Sequence, residues 1–377
     1  MRNLLVGNGI NIQFGKSDYG SQQIVLRIVK NCERDDFPTH IIIDCPHYMK
    51  SFIGQLYLES RSIINGMYDS YVTCTAEKNS LAAFKEHYKD KIGTLKVTDI
   101  AFEDYYLIHD LVCHKLKITN PEQFNVRKAL EISYLYSIYN DEKINELYKL
   151  FPDKFITFLL EFDSIFTTNY DSNVELSTHK TVYHIHGDFN QIDDVYNADS
   201  FRNQLPDAPI KNIEIDENYF YLYSNAITTH CGEYKEFQIH QATLANQSVE
   251  KMAEAYRTDP KIKEEIDSWT TSSNSLTANL GLAIQIKAQN PYIKFSEDYH
   301  FDKLENMDGC IEILGLSPWN DFHIFEAVDN ANIEKCIYYY NSEKACSRIC
   351  QLLPRLNSHN RIEFKNVKLL WEEMNEK

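Results

Sequence analysis

Two histidines near the middle of the chain are its clearest candidates for acid–base chemistry. In the run Tyr183-His184-Ile185-His186-Gly187-Asp188, a period of two places His184 and His186 on one face of a strand. As metal ligands the pair would need a third partner, and none is apparent in the sequence. As a general base His186 needs no partner, since it ends the strand before a glycine and imidazole titrates near neutral pH.

A second polar group stands where another predicted strand meets a turn. The run Thr167-Thr168-Asn169-Tyr170-Asp171 brings together hydroxyl, carboxamide and carboxylate groups. Asn169 can hold a ribose hydroxyl or a water molecule, and Asp171 can accept a hydrogen bond from a carboxamide N–H. The alternative is an Asx or ST turn that only caps the next helix. The motif by itself does not separate these two interpretations.

Glycine is scarce, so its positions are informative. Only 12 of 377 residues are glycine, about half of the usual ~7%, and a chain that uses so few is expected to use them for backbone geometry. Gly7-Asn8-Gly9-Ile10-Asn11 lies between a predicted strand and a predicted helix. Such a turn lets the backbone approach a diphosphate, which the free N–H groups of the helix start also favour. A purely structural turn is the alternative.

The third group of candidates follows two strands late in the chain. Gly315 and Ser317 come directly after an apolar run, and offer a close backbone approach and a hydroxyl for ribose or phosphate. Asn341 ends the next strand, where its amide can reach an adenosine ribose. Each of these positions is also compatible with a plain turn.

The elements that must position these residues alternate between strand and helix. Strands are predicted over residues 3–6, 164–168, 181–185, 310–316, 335–340 and 361–364, and residues 39–44 are either a strand or the lead-in to a helix. Helical spacing is found over residues 22–30, 322–331, 342–353 and 367–374. A β-α-β unit over residues 310–340 indicates parallel strands. The prediction is an α/β fold, a Rossmann-like doubly wound parallel sheet with large helical insertions, whose ligands bind beyond the carboxyl ends of the strands.

Two long segments between the strands have mostly helical spacing. The first insertion covers residues 46–160, with helices predicted over 52–64, 81–88, 102–116 and 126–139. A second, over about 218–300, has helical spacing at 236–256 and 262–288, and residues 189–212 are predicted to be a loop. The core domain is therefore residues 1–45 and 161–377.

Composition limits the functional classes. The formal charge of −17 argues against duplex DNA or an anionic membrane as the main partner, because both require clustered Lys and Arg. No apolar run approaches the ~18 residues that cross a bilayer. The nine cysteines are scattered and odd in number, so we expect free thiols and a cytoplasmic location. Cys346 and Cys350 lack further ligands at zinc spacing.

In chain order, the motifs GNGIN, TTNYD, HIHGD, GLSPWND and YYYN resemble the sirtuin-type NAD-binding domain. The resemblance covers residues 1–30, 164–190 and 308–345. It implies that His186 is the general base. It also implies three groups of NAD-binding residues: the diphosphate turn Gly7, Asn8, Gly9 and Asn11, the nicotinamide side Thr168, Asn169 and Asp171, and the adenosine side Gly315, Ser317 and Asn341.

The chain also departs from the deacylating sirtuins. Residues 189–217 contain no cysteine, whereas those enzymes carry a four-cysteine zinc module after the His-Gly motif, so neither zinc nor any other metal is expected. Thr168 replaces the family's glutamine, and Asn-Gly-Ile-Asn replaces its Ala-Gly-Ile-Ser. These differences resemble the sirtuin-like effectors of bacterial anti-phage defence, which degrade NAD. The Gly-Asn-Gly start is also similar to that of abortive-infection proteins.

The resemblance therefore predicts an NAD⁺ glycohydrolase that releases nicotinamide and ADP-ribose, with Asn169 and His186 as its catalytic residues and NAD⁺ as substrate. Two alternatives are an NAD-dependent protein deacylase and a non-catalytic module that senses NAD or ADP-ribose. An unregulated NADase would kill its host, so we expect a separate sensor or regulatory subunit and a homo- or hetero-oligomer.

Overall fold

The sheet at the centre of the molecule has the strand order of a doubly wound nucleotide-binding domain. In a computed structural model, which describes residues 1–43, 45–119, 122–191, 216–230, 233–289 and 299–375, six parallel strands lie in the order β3-β2-β1-β4-β5-β6. They are β1 Arg2–Val6, β2 Ser164–Thr167, β3 Val182–His184, β4 Asp308–Leu314, β5 Asn332–Tyr340 and β6 Ile362–Asn366. The order reverses between β1 and β4, which is where such sheets bind ligands.

The register aligns the carboxyl ends of the central strands. Val6 at the end of β1 pairs with Thr167 of β2 on one side and with Leu314 of β4 on the other. The segments that follow these strands therefore start at the same edge of the sheet. The predicted α/β fold with a parallel doubly wound sheet is confirmed.

Both faces of the sheet are buried, as expected for parallel strands. Along β1, Leu5 packs into one apolar cluster, whereas its neighbours Leu4 and Val6 pack into another on the opposite face. Helices cover each face. The bounds of those next to the sheet are α1 Gly9–Gly15, α7 Asp153–Leu160, α8 Asn173–Thr178, α12 Phe301–Glu305, α13 Phe322–Asn330, α14 Glu343–Leu352, α15 Pro354–Ser358 and α16 Val367–Asn375. The helix α2 Ser21–Asn31 faces the segment of residues 46–139 instead.

Residues 46–160, the predicted first insertion, consist mainly of helices. They contain α3 Pro46–Ile64, α4 Thr75–Tyr88, α5 Asp104–Leu116 and α6 Glu122–Tyr139, and 3₁₀ turns at Lys89–Lys91, Val97–Asp99 and Lys143–Leu150. These helices share a large apolar core with α2. Residues 39–43 form turns that lead to α3, whose first residue is Pro46. A proline suits that position because its missing N–H would have no partner there.

The second insertion is helical as well, but its second predicted helix is divided in two. Its elements are the 3₁₀ segment Glu217–Tyr223 and the helices α9 Glu233–Thr258, α10 Pro260–Trp269 and α11 Ser275–Gln289. The polar turn of residues 270–274 separates α10 from α11. Most of the loop predicted over residues 189–212 lies outside the described residues. In the part of the chain that is described, no helix combines the length and the hydropathy needed to cross a membrane.

Candidate functional site

Three glycines bring the two central strands into backbone contact at the point where the strand order reverses. The N–H of Gly7 donates to Leu314 O (2.9 Å), and that of Gly9 donates to Gly315 O (2.8 Å). A Cβ atom on Gly9 would lie 2.5 Å from Gly315 Cα, and one on Gly7 would lie 2.6 Å from Gly315 O. Larger residues would push the two turns apart, so the glycines are explained by close approach.

The polar run after β2 forms a turn whose side chains are held by the backbone. Thr167 Oγ1 accepts a hydrogen bond from Asn169 N at 3.0 Å, and Asp171 Oδ1 accepts from Asn173 N at 3.1 Å. The ST and Asx turns proposed as the structural alternative are therefore present. These turns do not exclude a functional role, because the ST turn uses only the backbone N–H of Asn169. The side-chain amide of Asn169 donates instead to Gly7 O at 3.4 Å.

Asp171 supports a neighbouring amide, and it is not among the residues that line the cavity. Its Oδ2 accepts from Asn11 Nδ2 (2.7 Å), and its Oδ1 accepts from Asn173. Burial raises the pKa of Asp171, although the hydrogen bonds from both asparagines oppose this. The bond from Asn11 fixes the orientation of that amide. It leaves Asn11 Oδ1 as a buried acceptor with no hydrogen-bond partner among the described residues.

The two histidines after β3 have different partners. His184 Nδ1 contacts Asn169 O at 2.8 Å, and its Nε2 contacts Glu175 Oε1 at 2.5 Å. Burial disfavours the charged ring of His184, but the contact with Glu175 outweighs it and raises the pKa. The strand ends at His184, so the alternation does not continue and His186 faces elsewhere. The pair does not share a metal site.

His186 belongs to a buried group of ionisable side chains. Its Nε2 lies 3.2 Å from His323 Nε2. Nearby, the ammonium of Lys235 contacts Glu103 Oε1 at 2.6 Å and Asp321 Oδ1 at 3.5 Å. All five side chains are buried. We call them the buried ionic cluster.

The charges of this cluster set the protonation of the imidazole. Burial, reinforced by Lys235 and His323 and opposed by Asp321, holds the pKa of His186 well below its usual range. Burial alone would raise the pKa of Asp321, but Lys235 and the two imidazoles outweigh it and lower that pKa. His186 is therefore neutral at pH 7, as a general base must be.

A cavity of about 530 Å³ lies over the glycine contact and reaches the buried ionic cluster. Its volume is in the range of small-molecule sites. Most of the predicted site residues line it: Asn8, Gly9, Asn11, Thr168, Asn169, His186, Gly315, Ser317 and Asn341. Gly7 and Asp171 do not line the cavity, but each accepts a hydrogen bond from a residue that does, Asn169 and Asn11 respectively. The five sequence segments therefore converge on one cavity.

Three members of the buried ionic cluster, His186, Asp321 and His323, have ligand atoms within 4.8 Å of one another, a spacing that also suits a metal ion. The ammonium of Lys235 already provides a cation beside Asp321. This favours a protonic arrangement of the two imidazoles over a metal-bound one.

Two charged cavity residues from the predicted insertions could not be found from the sequence. Glu103 precedes α5 and Lys235 is in the first turn of α9, and neither is part of a recognisable motif. Asp321 lies within the quoted run Gly-Leu-Ser-Pro-Trp-Asn-Asp, and His323 follows it by two residues. The signal that could have identified Asp321 and His323 is a carboxylate and a histidine at the start of the predicted helix.

Comparison with known proteins gave no further information, since no family model, no curated protein and no solved structure matches this chain.

Proposed function

We propose that this protein is an NAD⁺ glycohydrolase that cleaves NAD⁺ to nicotinamide and ADP-ribose. The observation that carries the proposal is that Asn169 and His186 share one cavity with the glycine contact of Gly9 and Gly315. A close-approach glycine turn at the switch point suits a diphosphate. A neutral buried imidazole that shares a cavity with an amide suits proton transfer at a ribose.

The spacing of the strands supports a dinucleotide as the ligand. Asn169 follows β2 and Asn341 follows β5, and these strands are three positions apart in the sheet. At ~4.8 Å per strand spacing this is about 14 Å. A ligand that contacts both amides must therefore be elongated, with the glycine contact under its middle. Two nucleosides joined by a diphosphate have this shape.

The chemistry assigned to the site is the loss of a cationic leaving group. Nicotinamide in NAD⁺ already carries a positive charge, so it departs without protonation, and the site must stabilise an oxocarbenium-like ribose and deliver water. Asn169 orients the ribose or the water. His186 accepts a proton from the water or from a ribose hydroxyl.

Asn11 takes over the carboxamide contact that the sequence assigned to Asp171. Both oxygens of Asp171 accept hydrogen bonds from protein groups, whereas Asn11 lines the cavity and its Oδ1 has no partner in the described structure. In our proposal this oxygen accepts a hydrogen bond from the substrate, and Asp171 keeps the amide in the required orientation. Asn11→Asp, which places a negative charge next to Asp171, is expected to raise KM at least tenfold.

The deciding experiment is incubation of the purified protein with NAD⁺ and chromatography of the products. Nicotinamide and ADP-ribose should appear in equal amounts, and Asn169→Ala and His186→Ala should each abolish their formation while the circular dichroism spectrum stays unchanged. His109→Ala is the control, since His109 is equally buried in the first insertion and does not line the cavity. Full activity in both site variants would refute the mechanism. Turnover that requires an acetylated peptide would indicate a deacylase instead.

We place this activity in anti-phage defence, on the strength of the sequence resemblance. Low basal turnover is expected, with release by a partner subunit or by oligomerisation, so the assay should be repeated with the product of the neighbouring gene. In cells, NAD⁺ should fall after infection only when the wild-type protein is expressed. An unchanged NAD⁺ pool during infection would remove this assignment and leave the enzymatic proposal intact.

A further inference from the structure

The contact between His186 and His323 requires a shared proton. The two Nε2 atoms lie 3.2 Å apart, and the side chains are 1% and 4% exposed. At this distance one nitrogen must donate its N–H and the other must accept it, because two N–H groups or two lone pairs would repel each other. When both rings are neutral, they therefore have complementary tautomers.

The surroundings of the pair suit one additional proton. Glu103 and Asp321 carry two negative charges and Lys235 carries one positive charge, so the three side chains have a net charge of −1. This charge is buried, where electrostatic interactions are strong. The carboxylate of Asp321 lies within 4.8 Å of both rings. A positive charge on either ring would therefore neutralise the net charge of −1. The cluster thus favours a transient positive charge on the pair.

We propose that His323 is a positioning residue for His186, and that it receives a proton from His186 during the reaction. This inference rests on the proposed function. When a water or ribose O–H bond breaks, its proton binds Nδ1 of His186, the nitrogen that His323 does not occupy. The N–H bond at Nε2 of His186 breaks at the same time, and its proton binds Nε2 of His323. The positive charge then lies on His323 beside Asp321, and no electrons are transferred to an outside group.

The relay explains how a buried imidazole acts as a base. Protonated His186 would be unfavourable in its position, because burial and the ammonium of Lys235 both oppose its charge. The transfer moves the charge one ring further from the reacting ribose, which itself becomes positive in the transition state. Without His323, the two positive charges would develop next to each other.

The test compares His323→Gln with the wild-type protein. Glutamine keeps a hydrogen-bonding group facing His186 but cannot take up a proton. We expect kcat to fall by about 100-fold, the lower end of the range for acid–base groups, while KM stays within twofold. The rate in mixtures of H₂O and D₂O should depend on the deuterium fraction along a curve for the wild type, since two protons move. It should be a straight line for the variant.

His109→Gln is the matched control for the loss of a buried imidazole, and it should leave the curve and kcat unchanged. A kcat within twofold of wild type for His323→Gln, or a curve that persists in that variant, would overturn the proposal. The proposal would also be overturned if the purified protein contained one equivalent of a divalent metal and lost turnover when the metal was removed. The two histidines would then form a metal site.

A second measurement separates this inference from the proposed function. In protein labelled with ¹⁵N at histidine, a proton shared between the rings gives a scalar coupling between the two Nε2 nuclei, whether or not NAD⁺ is cleaved. If the coupling is present and no nicotinamide is released under any condition, the pair exists and the enzyme proposal fails. If NAD⁺ is cleaved and the coupling is missing, the relay is wrong and the enzyme proposal remains.

Discussion

Replacing Gly9 with alanine tests whether the backbone contact at the switch point is required. A Cβ atom at this position would lie 2.5 Å from Gly315 Cα, whereas ordinary contact begins at 3.4 Å, so the two turns must separate by about 0.9 Å. The N–H of Gly9 now lies 2.8 Å from Gly315 O, and the same shift would break this hydrogen bond. Overpacking costs about 1–3 kcal/mol, and the lost hydrogen bond adds about 1 kcal/mol.

Gly9→Ala should therefore lower the free energy of unfolding by about 2–4 kcal/mol, measured by urea denaturation. Gly54→Ala is the matched control: Gly54 lies within α3 and a Cβ atom there meets nothing within 4 Å. That variant should be more stable than wild type by about 0.5–1 kcal/mol. At the site, Gly9→Ala should raise KM for NAD⁺ more than tenfold, because a shift near 1 Å disrupts alignment. Wild-type stability and KM in Gly9→Ala would refute the reasoning.

Three further predictions concern the surroundings of the cavity. The contact with Glu175 raises the pKa of His184. The contribution of this contact to stability is therefore complete below the unfolded pKa of ~6.5 and is lost as the pH rises through the folded pKa. In urea titrations the stability advantage of the wild type over His184→Gln should shrink between pH 6 and 8, and a constant difference would contradict this. Asn341→Ala should raise KM for NAD⁺ and leave kcat unchanged, because Asn341 follows a strand remote from the scissile bond; a lower kcat at unchanged KM would disprove the assignment. Lys235→Met leaves the carboxylate of Glu103 buried without the ammonium of Lys235, and should lower the free energy of unfolding by about 3–5 kcal/mol. If the two side chains are coupled, adding Glu103→Gln should restore part of this loss in the double variant.

The parts of the fold that follow from local patterns could be predicted from the sequence. Apolar runs located the strands, and a run such as residues 3–6, which ends before Gly7, needs no distant information to be recognised. The turn after β2 was also predictable, since Thr167 and Asp171 cap backbone N–H groups two residues ahead. The hydrogen bond that the second oxygen of Asp171 accepts from Asn11 could not be predicted, because the two residues are 160 positions apart in the chain.

The buried ionic cluster could not be predicted for the same reason. Glu103 and Lys235 are 132 residues apart, and each stands at the start of a helix, where a charged residue is ordinary. Only the packing of both insertions against the edge of the sheet brings them to His186. The prediction that His184 and His186 share one face was wrong, because β3 ends at His184 and the following residues form a turn.

The position of Lys235 bears on how the proposed activity would be regulated. The first insertion contributes Glu103 to the cavity and the second contributes Lys235, and the two are joined by an ion pair that is almost fully buried. A displacement of α9 that removed the ammonium would leave the carboxylates of Glu103 and Asp321 without a counterion. His186 would then lose the positive charge that helps to hold its pKa low. If the proposed regulatory subunit held α9 in this position, it would stabilise the neutral form of His186. Both predicted insertions thus contribute a charged side chain to the cavity that contains His186.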